Sequence, residues 1–166
     1  MTKAQASFIA ALAPAARLAQ QQTGIPACIT IAQAIVESGW GKTRLATEDF
    51  NYFGIKAIPG QSYREFATAE YLHGKQELLD ARYARYQSAA ESFRAHAYLL
   101  AHNDRYAPAM KRTSSPTSFA LALQSCGYSP SPVYATELMD LVAEFRLSKF
   151  DSPPVPPIEP AKAAAA

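Results

Sequence analysis

Hydrophobic residues recur at helical spacing along most of the 166-residue chain, and one stretch departs from that period. The pattern predicts a first helix over residues 3–22 and a second over residues 26–38, with Gly39 suited to a left-handed helix end. Residues 63–71 instead alternate with a period of two, and a turn follows at residues 73–75. A second extended run then leads toward residue 86, in which Leu78, Leu79 and Ala81 also suit a helix. This stretch is therefore predicted to form a β-hairpin.

A short helix and loop are expected over residues 40–59, and three more helices follow the hairpin. Ser88 and Glu91 form a capping-box pattern that opens the first of these helices. Pro116 suits the start of the second, and residues 131–132 suit the start of the last. One small hairpin among many helices indicates an α+β fold, mostly helical, in which the hairpin lines one side of a groove.

The chain is long enough for one domain, and hydrophobic residues make up 49% of it against 18% charged residues. We predict that this domain occupies residues 1–150. Residues 151–160 contain five of the 12 prolines in the chain. Proline-rich sequence favours extended polyproline and builds no core, so residues 151–166 are predicted to be a disordered Pro/Ala-rich tail.

Net charge and hydropathy argue against two classes of partner. The net charge is only +2 and no cluster of lysine and arginine is present, so a nucleic-acid partner is not expected. No apolar run approaches the roughly 20 residues that cross a bilayer, so membrane insertion is not expected either. We interpret residues 1–22 as the first helix of the domain and not as a signal peptide, and we expect synthesis in the cytoplasm.

Two cysteines and three histidines match no metal-ligand spacing, and we expect neither a metal nor a cofactor. His96 and His102 fall on one predicted helix. Cys28 and Cys126 fit two interpretations. We favour small buried hydrophobic residues over a disulfide that joins distant helices.

The second predicted helix ends in Glu37-Ser38-Gly39-Trp40-Gly41, which places a carboxylate directly after an apolar run. Apolar neighbours and the negative end of the helix dipole both disfavour the charged form, and so raise the pKa of Glu37. A carboxylic acid that keeps its proton near neutral pH can donate it to a leaving group. The alternative is a solvated glutamate in the last turn of an ordinary helix.

Acid–base chemistry of this kind usually needs a second carboxylate. The hairpin offers four acidic residues, namely Glu65, Glu70, Glu77 and Asp80. We prefer Glu70 because it lies near the end of the hairpin beside the aromatic Tyr71. The alternative is that these carboxylates only make an exposed hairpin soluble.

Several other residues are candidates for contact with a ligand. Gln33 lies one turn before Glu37 on the same helix face. Asn51 opens a turn with two aromatic residues and a glycine, which suits a pocket wall. Aromatic residues in predicted loops or at element ends are further candidates, although most aromatics of a chain belong to its core: Trp40, Tyr52, Phe53, Tyr106 and Tyr128.

These motifs together resemble the signature of the bacterial glucosaminidase family, glycoside hydrolase family 73. The resemblance rests first on Ile25-Pro26, Ala32-Gln33-Ala34, Glu37-Ser38-Gly39-Trp40-Gly41 and Asn51-Tyr52-Phe53-Gly54-Ile55-Lys56. It continues with weaker motifs through Thr68-Ala69-Glu70-Tyr71, Tyr86-Gln87-Ser88, Glu91-Ser92-Phe93 and Gly127-Tyr128, and covers roughly residues 8–150.

The resemblance implies a lysozyme-like fold with a long groove and cleavage of the β-1,4 bond after N-acetylglucosamine in peptidoglycan. It implies that Glu37 is the general acid, that Glu70 is the second carboxylate, and that Tyr106 and Tyr128 line the groove. One motif departs from the family: its Gly-Tyr-Ala-Thr-Asp-Pro stretch is Gly-Tyr-Ser-Pro-Ser-Pro at residues 127–132, which puts the local helix cap in doubt.

Three alternatives stay open on this evidence. The N-acetyl group of the substrate can replace the second carboxylate as the attacking group. Cleavage after N-acetylmuramic acid would make the chain an N-acetylmuramidase, and loss of turnover would leave a glycan-binding module.

The biological setting expected from the sequence is an antibacterial toxin exported by a dedicated secretion system, such as a type VI effector, or a phage lysis enzyme. Both would act on periplasmic peptidoglycan. A toxin would be expected to have a cognate immunity protein that occludes the groove.

Overall fold

The computed structural model describes residues 1–72 and 75–152, without the side chains of residues 68–72 and 75–79. Seven helices and one two-stranded antiparallel sheet are found in these ranges. The α+β prediction is confirmed. The elements are α1 (Lys3–Thr23), α2 (Ala27–Ser38), α3 (Arg44–Asp49), β1 (Tyr63–Leu72), β2 (Lys75–Ala84), α4 (Ala89–His102), α5 (Ala107–Met110), α6 (Pro116–Ser125) and α7 (Tyr134–Glu144), with 3-10 turns at Asp104–Tyr106 and Leu147–Phe150.

Helix α2 is the centre of the core and contacts α1, α6 and α7. Its residues 27–35 are all buried, so it has no solvent face over its first two turns. Gly39 ends the helix at φ 54°, in the left-handed conformation expected for it. Pro26 is the residue before the helix and not its first helical residue. Val36 is 37% exposed, because the helix emerges from the core in its last turn.

The hairpin prediction is confirmed, with a register that runs from Tyr63 opposite Ala84 to Leu72 opposite Lys75. Two residues of the predicted turn, 73 and 74, lie outside the described residues, and its third, Lys75, is the first residue of β2. Glu70 and Glu77 occupy directly opposed positions of the two strands.

A buried carboxylate holds the base of the hairpin against the helical body. Asp49, the last residue of α3, is 1% exposed. Arg64 of β1 donates to it from Nε at 2.5 Å and from Nη2 at 3.0 Å, and Arg85 after β2 donates from Nε at 2.7 Å. Both strands are thus fastened to one side chain, and we call Asp49, Arg64 and Arg85 the Asp49 clamp.

Two helix starts differ from their predicted form. Ser88 accepts the amide hydrogen of Glu91, but Glu91 Oε2 accepts from the amide of Gln87 and not from that of Ser88, so the capping box is only half formed. Helix α7 begins at Tyr134 and not at residues 131–132, and Val133 before it provides no side-chain cap.

Cys28 and Cys126 are both free thiols; Cys28 is buried, as the favoured interpretation expected, whereas Cys126 is only partly buried. Cys28 is buried in the first turn of α2, and its amide donates to Asp151 Oδ1 at 2.8 Å. The Ser152 amide donates to Gln20 Oε1 at 2.8 Å. Packing therefore continues two residues past the predicted domain end at residue 150, and residues 153–166 lie outside the described ranges. Within the described ranges, none of the helices combines the length and the apolar character that crossing a bilayer requires.

Candidate active site

Glu37 is partly buried in the last turn of α2, where that helix leaves the core. The hydroxyl of Tyr134, the first residue of α7, donates to Glu37 Oε1 at 2.9 Å. Burial raises the pKa of Glu37 above its ordinary value, the hydrogen bond from Tyr134 lowers it, and the nearby negative charge of Glu137 raises it. Burial is the largest of these effects, so Glu37 keeps its proton to higher pH than an exposed glutamate.

Gln33 supports this pair from below. It is fully buried, and its Nε2 donates to the Tyr134 hydroxyl oxygen at 3.2 Å. The hydroxyl therefore accepts from Gln33 while it donates to Glu37, which fixes the direction of its own hydrogen. The structure places Gln33 behind Tyr134 and not on a surface that a ligand can touch.

Tyr128 continues the site beyond Tyr134. It lies in the loop between α6 and α7, is partly exposed, and stacks on Tyr134 with ring centroids 5.5 Å apart. Tyr106 lies 5.9 Å from Tyr128 between centroids but is only 7% exposed. The structure brings both tyrosines to the Glu37 site, and Tyr128 is the more accessible of the two.

The predicted pocket wall at residues 51–56 is organised from within. Asn51 is 1% exposed, and its Nδ2 donates to the carbonyls of Ile55 and Ala84 while its Oδ1 accepts from the amide of Ile55. These bonds close the loop and tie it to the end of β2. Phe53 is 7% exposed and stacks on His96. Both residues thus support the site from the interior and present little surface to a ligand.

Trp40 anchors the turn that follows Glu37. It is partly exposed and has a positive φ of 63°, between Gly39 and Gly41, which also have positive φ. Its ring packs on Phe145 with centroids 5.0 Å apart. A Cβ at Gly41 would lie 2.5 Å from the ring of Phe8, so only glycine fits there. Three consecutive residues with positive φ thus turn the chain sharply directly after α2.

The second carboxylate is placed only at the level of the backbone. Glu70 belongs to β1, but its side chain lies outside the described part of the structure. Glu65 differs from Glu70 in that its side chain is described: it accepts from Arg82 Nε at 3.0 Å in an exposed ion pair. In the described ranges, no group of three His, Cys, Asp or Glu side chains could hold a metal ion.

Sequence reasoning missed two residues of the site, Tyr134 and His96. Tyr134 lies 97 residues after Glu37 and carries no local signal, so only the fold brings the two together. His96 sits among the apolar residues of α4, with its Nε2 at 2.9 Å from the Tyr128 hydroxyl. A histidine on an apolar helix face was its sole signal in the sequence.

Comparison with known proteins places this geometry in a family. The glucosaminidase family model, described as mannosyl-glycoprotein endo-beta-N-acetylglucosaminidase, matches residues 13–147. Peptidoglycan hydrolase FlgJ of Salmonella typhimurium is 34% identical over 145 residues, which cover 84% of this chain and 46% of FlgJ. The chain thus spans about half the length of this relative.

Solved structures agree with the sequence relatives. The glycoside hydrolase domain of Salmonella typhimurium FlgJ, truncated at its C terminus, superimposes with a TM-score of 0.69 at 33% identity, covering 86% of this chain and 97% of that domain. The catalytic domain of the autolysin Auto from Listeria monocytogenes gives a TM-score of 0.81 at 26% identity, covering 91% and 89%. By the match of the family model and the agreement of these folds, the chain belongs to the glucosaminidase family.

Proposed function

We propose that this chain hydrolyses peptidoglycan and cleaves the β-1,4 bond after N-acetylglucosamine, with Glu37 as the general acid. The observation that carries the proposal is the environment of Glu37: a partly buried carboxyl at the end of α2, held by Tyr134, whose pKa is raised by burial. Membership of the glucosaminidase family and the peptidoglycan hydrolase FlgJ among its relatives support the substrate class.

Glu37 would donate its proton to the glycosidic oxygen as the bond from the anomeric carbon to that oxygen breaks. The leaving sugar then departs as a neutral alcohol and Glu37 is left as a carboxylate. The hydrogen bond from Tyr134 stabilises that carboxylate, so the same contact that orients the acid also offsets the charge formed on it. Water adds to the anomeric carbon, and its released proton passes either to Glu37 directly or to the second carboxylate. In the second case that carboxylate then loses the proton to solvent, and Glu37 regains one from solvent.

The first test replaces Glu37 by glutamine. A Glu37→Gln variant should release reducing ends from purified peptidoglycan about 10²–10⁴-fold more slowly than the wild type, which is the usual loss for a general acid. Glu144→Gln, an exposed position on the same molecule, is the matched control and should keep full activity. A wild type that binds peptidoglycan but releases no more ends than Glu37→Gln would identify a glycan-binding module instead.

Glu70 is proposed as the second carboxylate, which activates water or stabilises positive charge on the sugar. Its register partner Glu77 gives a matched control on the same ribbon. Glu70→Gln should slow turnover strongly, and Glu77→Gln should not. Unimpaired turnover of Glu70→Gln would move the role to Glu65, Glu77, Asp80 or the N-acetyl group of the substrate, and slow turnover of Glu77→Gln would then select Glu77.

Bond specificity is tested by the products. Digested peptidoglycan is reduced with borohydride and analysed by mass spectrometry, which shows which sugar carries the new alcohol. The proposal expects reduced N-acetylglucosamine ends. Reduced N-acetylmuramic acid ends would identify a muramidase.

We further propose a setting in which the chain acts on the peptidoglycan of rival or host cells, as an exported toxin or a phage lysis enzyme. The toxin setting requires an inhibitor protein that covers the surface around Glu37. Titration of the enzyme with the product of a neighbouring gene should then abolish release of reducing ends at one equivalent. Undiminished hydrolysis at that ratio would remove the toxin setting and leave the lysis enzyme.

A further inference from the structure

His96 is a buried polar residue for which the proposed reaction has no use. It belongs to α4 and is 1% exposed. Its imidazole ring stacks on Phe53, with centroids 3.9 Å apart and planes inclined by 10°. Its Nε2 lies 2.9 Å from the hydroxyl oxygen of Tyr128, the most accessible tyrosine of the site. Stacking and hydrogen bond together fix both the plane of the imidazole and the direction in which Nε2 points.

The surroundings of His96 also decide where its hydrogen lies. Burial lowers the pKa of His96 to about 3, so the imidazole is neutral near pH 7 and carries one N–H. Its Nδ1 is buried and has no hydrogen-bond partner in the described residues. In protein interiors a donor without a partner is rarer than an acceptor without one. The hydrogen therefore belongs on Nε2, where the Tyr128 oxygen accepts it, and Nδ1 keeps only a lone pair.

We propose that His96 is a positioning residue for Tyr128: it donates from Nε2 to the tyrosine oxygen, and this leaves the Tyr128 hydroxyl hydrogen free for an oxygen of the glycan. With the other tautomer, the Tyr128 hydroxyl would donate its hydrogen to Nε2 and could only accept a hydrogen bond from the ligand. The nature of the ligand, a glycan strand, rests on the proposed function. The hydrogen-bond direction between His96 and Tyr128 does not.

The neighbours of Tyr128 agree with this direction. Tyr128 stacks on Tyr134, and the Tyr134 hydroxyl already has its own acceptor in Glu37 and its own donor in Gln33. Tyr134 is therefore satisfied within the protein. Tyr128 is partly exposed as a residue, and with His96 as the donor its hydroxyl hydrogen has no acceptor among the described residues. Glu37, held by Tyr134, would thus supply the proton for catalysis, and Tyr128, stacked on Tyr134, would supply a hydrogen-bond donor for binding.

The first experiment reads the tautomer directly in the wild-type protein. Two-bond and three-bond 1H–15N correlation spectra of ¹⁵N-labelled protein at pH 7 distinguish a protonated ring nitrogen from an unprotonated one. We expect His96 with the hydrogen on Nε2 and with no change of charge down to pH 5. A hydrogen on Nδ1 would overturn the proposal. This readout needs no enzymatic activity, so it stands even where the proposed function fails.

The second experiment is a double-mutant cycle on hydrolysis of soluble glycan strands. His96→Phe keeps a flat ring against Phe53 and removes the donor, whereas His96→Gln keeps an amide donor. His96→Phe should raise KM about 2- to 12-fold, the equivalent of one neutral hydrogen bond, with a smaller change in kcat, and His96→Gln should recover part of the loss. In a Tyr128→Phe background, His96→Phe should have no further effect.

The outcomes separate a positioning role from a packing role. If His96→Phe raises KM by the same factor with and without the Tyr128 hydroxyl, His96 does not act through Tyr128 and the proposal is wrong. Should His96→Phe fail to fold, His96→Gln and the wild-type tautomer still decide it. A wild type that releases no reducing ends would count against the proposed function alone.

Discussion

At the scale of single residues, the site depends on the balance around the Glu37 carboxyl. Burial and the charge of Glu137 raise its pKa, and the hydrogen bond from Tyr134 lowers it. Two substitutions should therefore move the pKa in opposite directions. Tyr134→Phe removes a bond that favours the carboxylate and should raise the pKa, whereas Glu137→Gln removes a like charge and should lower it.

These shifts are measured as the pH at which kcat falls on the alkaline side, because a general acid stops working once it loses its proton. Relative to wild type, the midpoint should move up in Tyr134→Phe and down, by less, in Glu137→Gln, since Glu137 is exposed. Tyr98→Phe, on an exposed tyrosine of α4, is the control and should leave the midpoint in place. Movement of both midpoints in the same direction would show that another group titrates.

The same residue makes a prediction for stability. A raised pKa in the folded state means that the folded protein binds a proton more tightly than the unfolded chain, so stability falls as pH rises from about 4.3 through the folded value. Glu37→Gln cannot titrate at this position, so its free energy of unfolding should fall less between pH 4 and pH 7 than that of the wild type. Urea unfolding at the two pH values measures this fall. An equal fall in both proteins would contradict the prediction.

The residue scale also shows what sequence reasoning can reach. Glu37 is predicted as the acid because an apolar run, a glycine-flanked tryptophan and a helix end are all local features. Tyr134 was not found, because its contact with Glu37 depends on how α7 packs against α2. Gln33 and Asn51 were chosen as ligand contacts, yet the structure buries both behind the site. A sequence gives the neighbours of a side chain along the chain, but not whether its polar atoms face the ligand or the core.

At the scale of elements, the hairpin is held by its base. Asp49 accepts hydrogen bonds from Arg64 and Arg85, and these bonds are the main reason that the pKa of Asp49 is lowered despite burial, with the hydrogen bond from Arg64 the largest contribution. Asp49→Asn should loosen the Asp49 clamp and so speed amide hydrogen exchange throughout β1 and β2 while α2 stays protected. Glu65→Gln breaks only an exposed ion pair and is the control.

The pH dependence of the clamp has the opposite sign to that of Glu37. A lowered pKa means that Asp49 stabilises the fold above about pH 3.9 and that this contribution is lost as pH falls through the lower folded value. In the wild type, protection of the hairpin amides should decrease in acid. In Asp49→Asn it should already be low at pH 7 and should change little. Equal protection of both proteins at pH 7 would show that the clamp does not hold the hairpin.

The elements themselves were largely predictable, and their ends were less so. The periods of 3.6 and 2 identified α1, α2 and the hairpin, because burial of one face leaves a trace in the order of residues. Helix α7 begins at Tyr134, later than expected, since the serines and prolines at residues 129–132 before it form a turn and provide no cap. The clamp had no trace in the sequence. Its three residues lie on α3, on β1 and after β2. Because charged residues are mostly exposed, the sequence alone would place all three on the surface.

At the scale of the whole molecule, the C-terminal residues of the described chain close onto the helix that carries Glu37. Asp151 Oδ1 accepts the amide hydrogen of Cys28 in the first turn of α2. It thereby does for this helix what the side chain of an N-cap residue usually does, although it is distant in sequence. Ser152 and Gln20 are joined by two hydrogen bonds. A chain cut at residue 150, the predicted domain end, would thus lose these contacts to α1 and α2.

Two truncations test this closure. Deletion of residues 153–166 removes only the Pro/Ala-rich sequence and should leave the melting temperature and hydrolysis nearly unchanged. Deletion of residues 151–166 also removes the cap on α2 and should destabilise the fold by about 0.5–2 kcal/mol, the usual value of an N-cap. Asp151→Ala in the full chain should reproduce most of that loss. Equal melting temperatures for the two truncations would show that the cap contributes nothing.

The proposed reaction requires that Glu37 keeps its proton at the pH at which a glycan is cleaved. Its most direct test is the pH titration of the Glu37 side-chain carboxyl carbon by ¹³C NMR, assigned with Glu37→Gln. The account expects a midpoint clearly above the ordinary glutamate value of about 4.3. A midpoint at or below that value would leave the site without its acid.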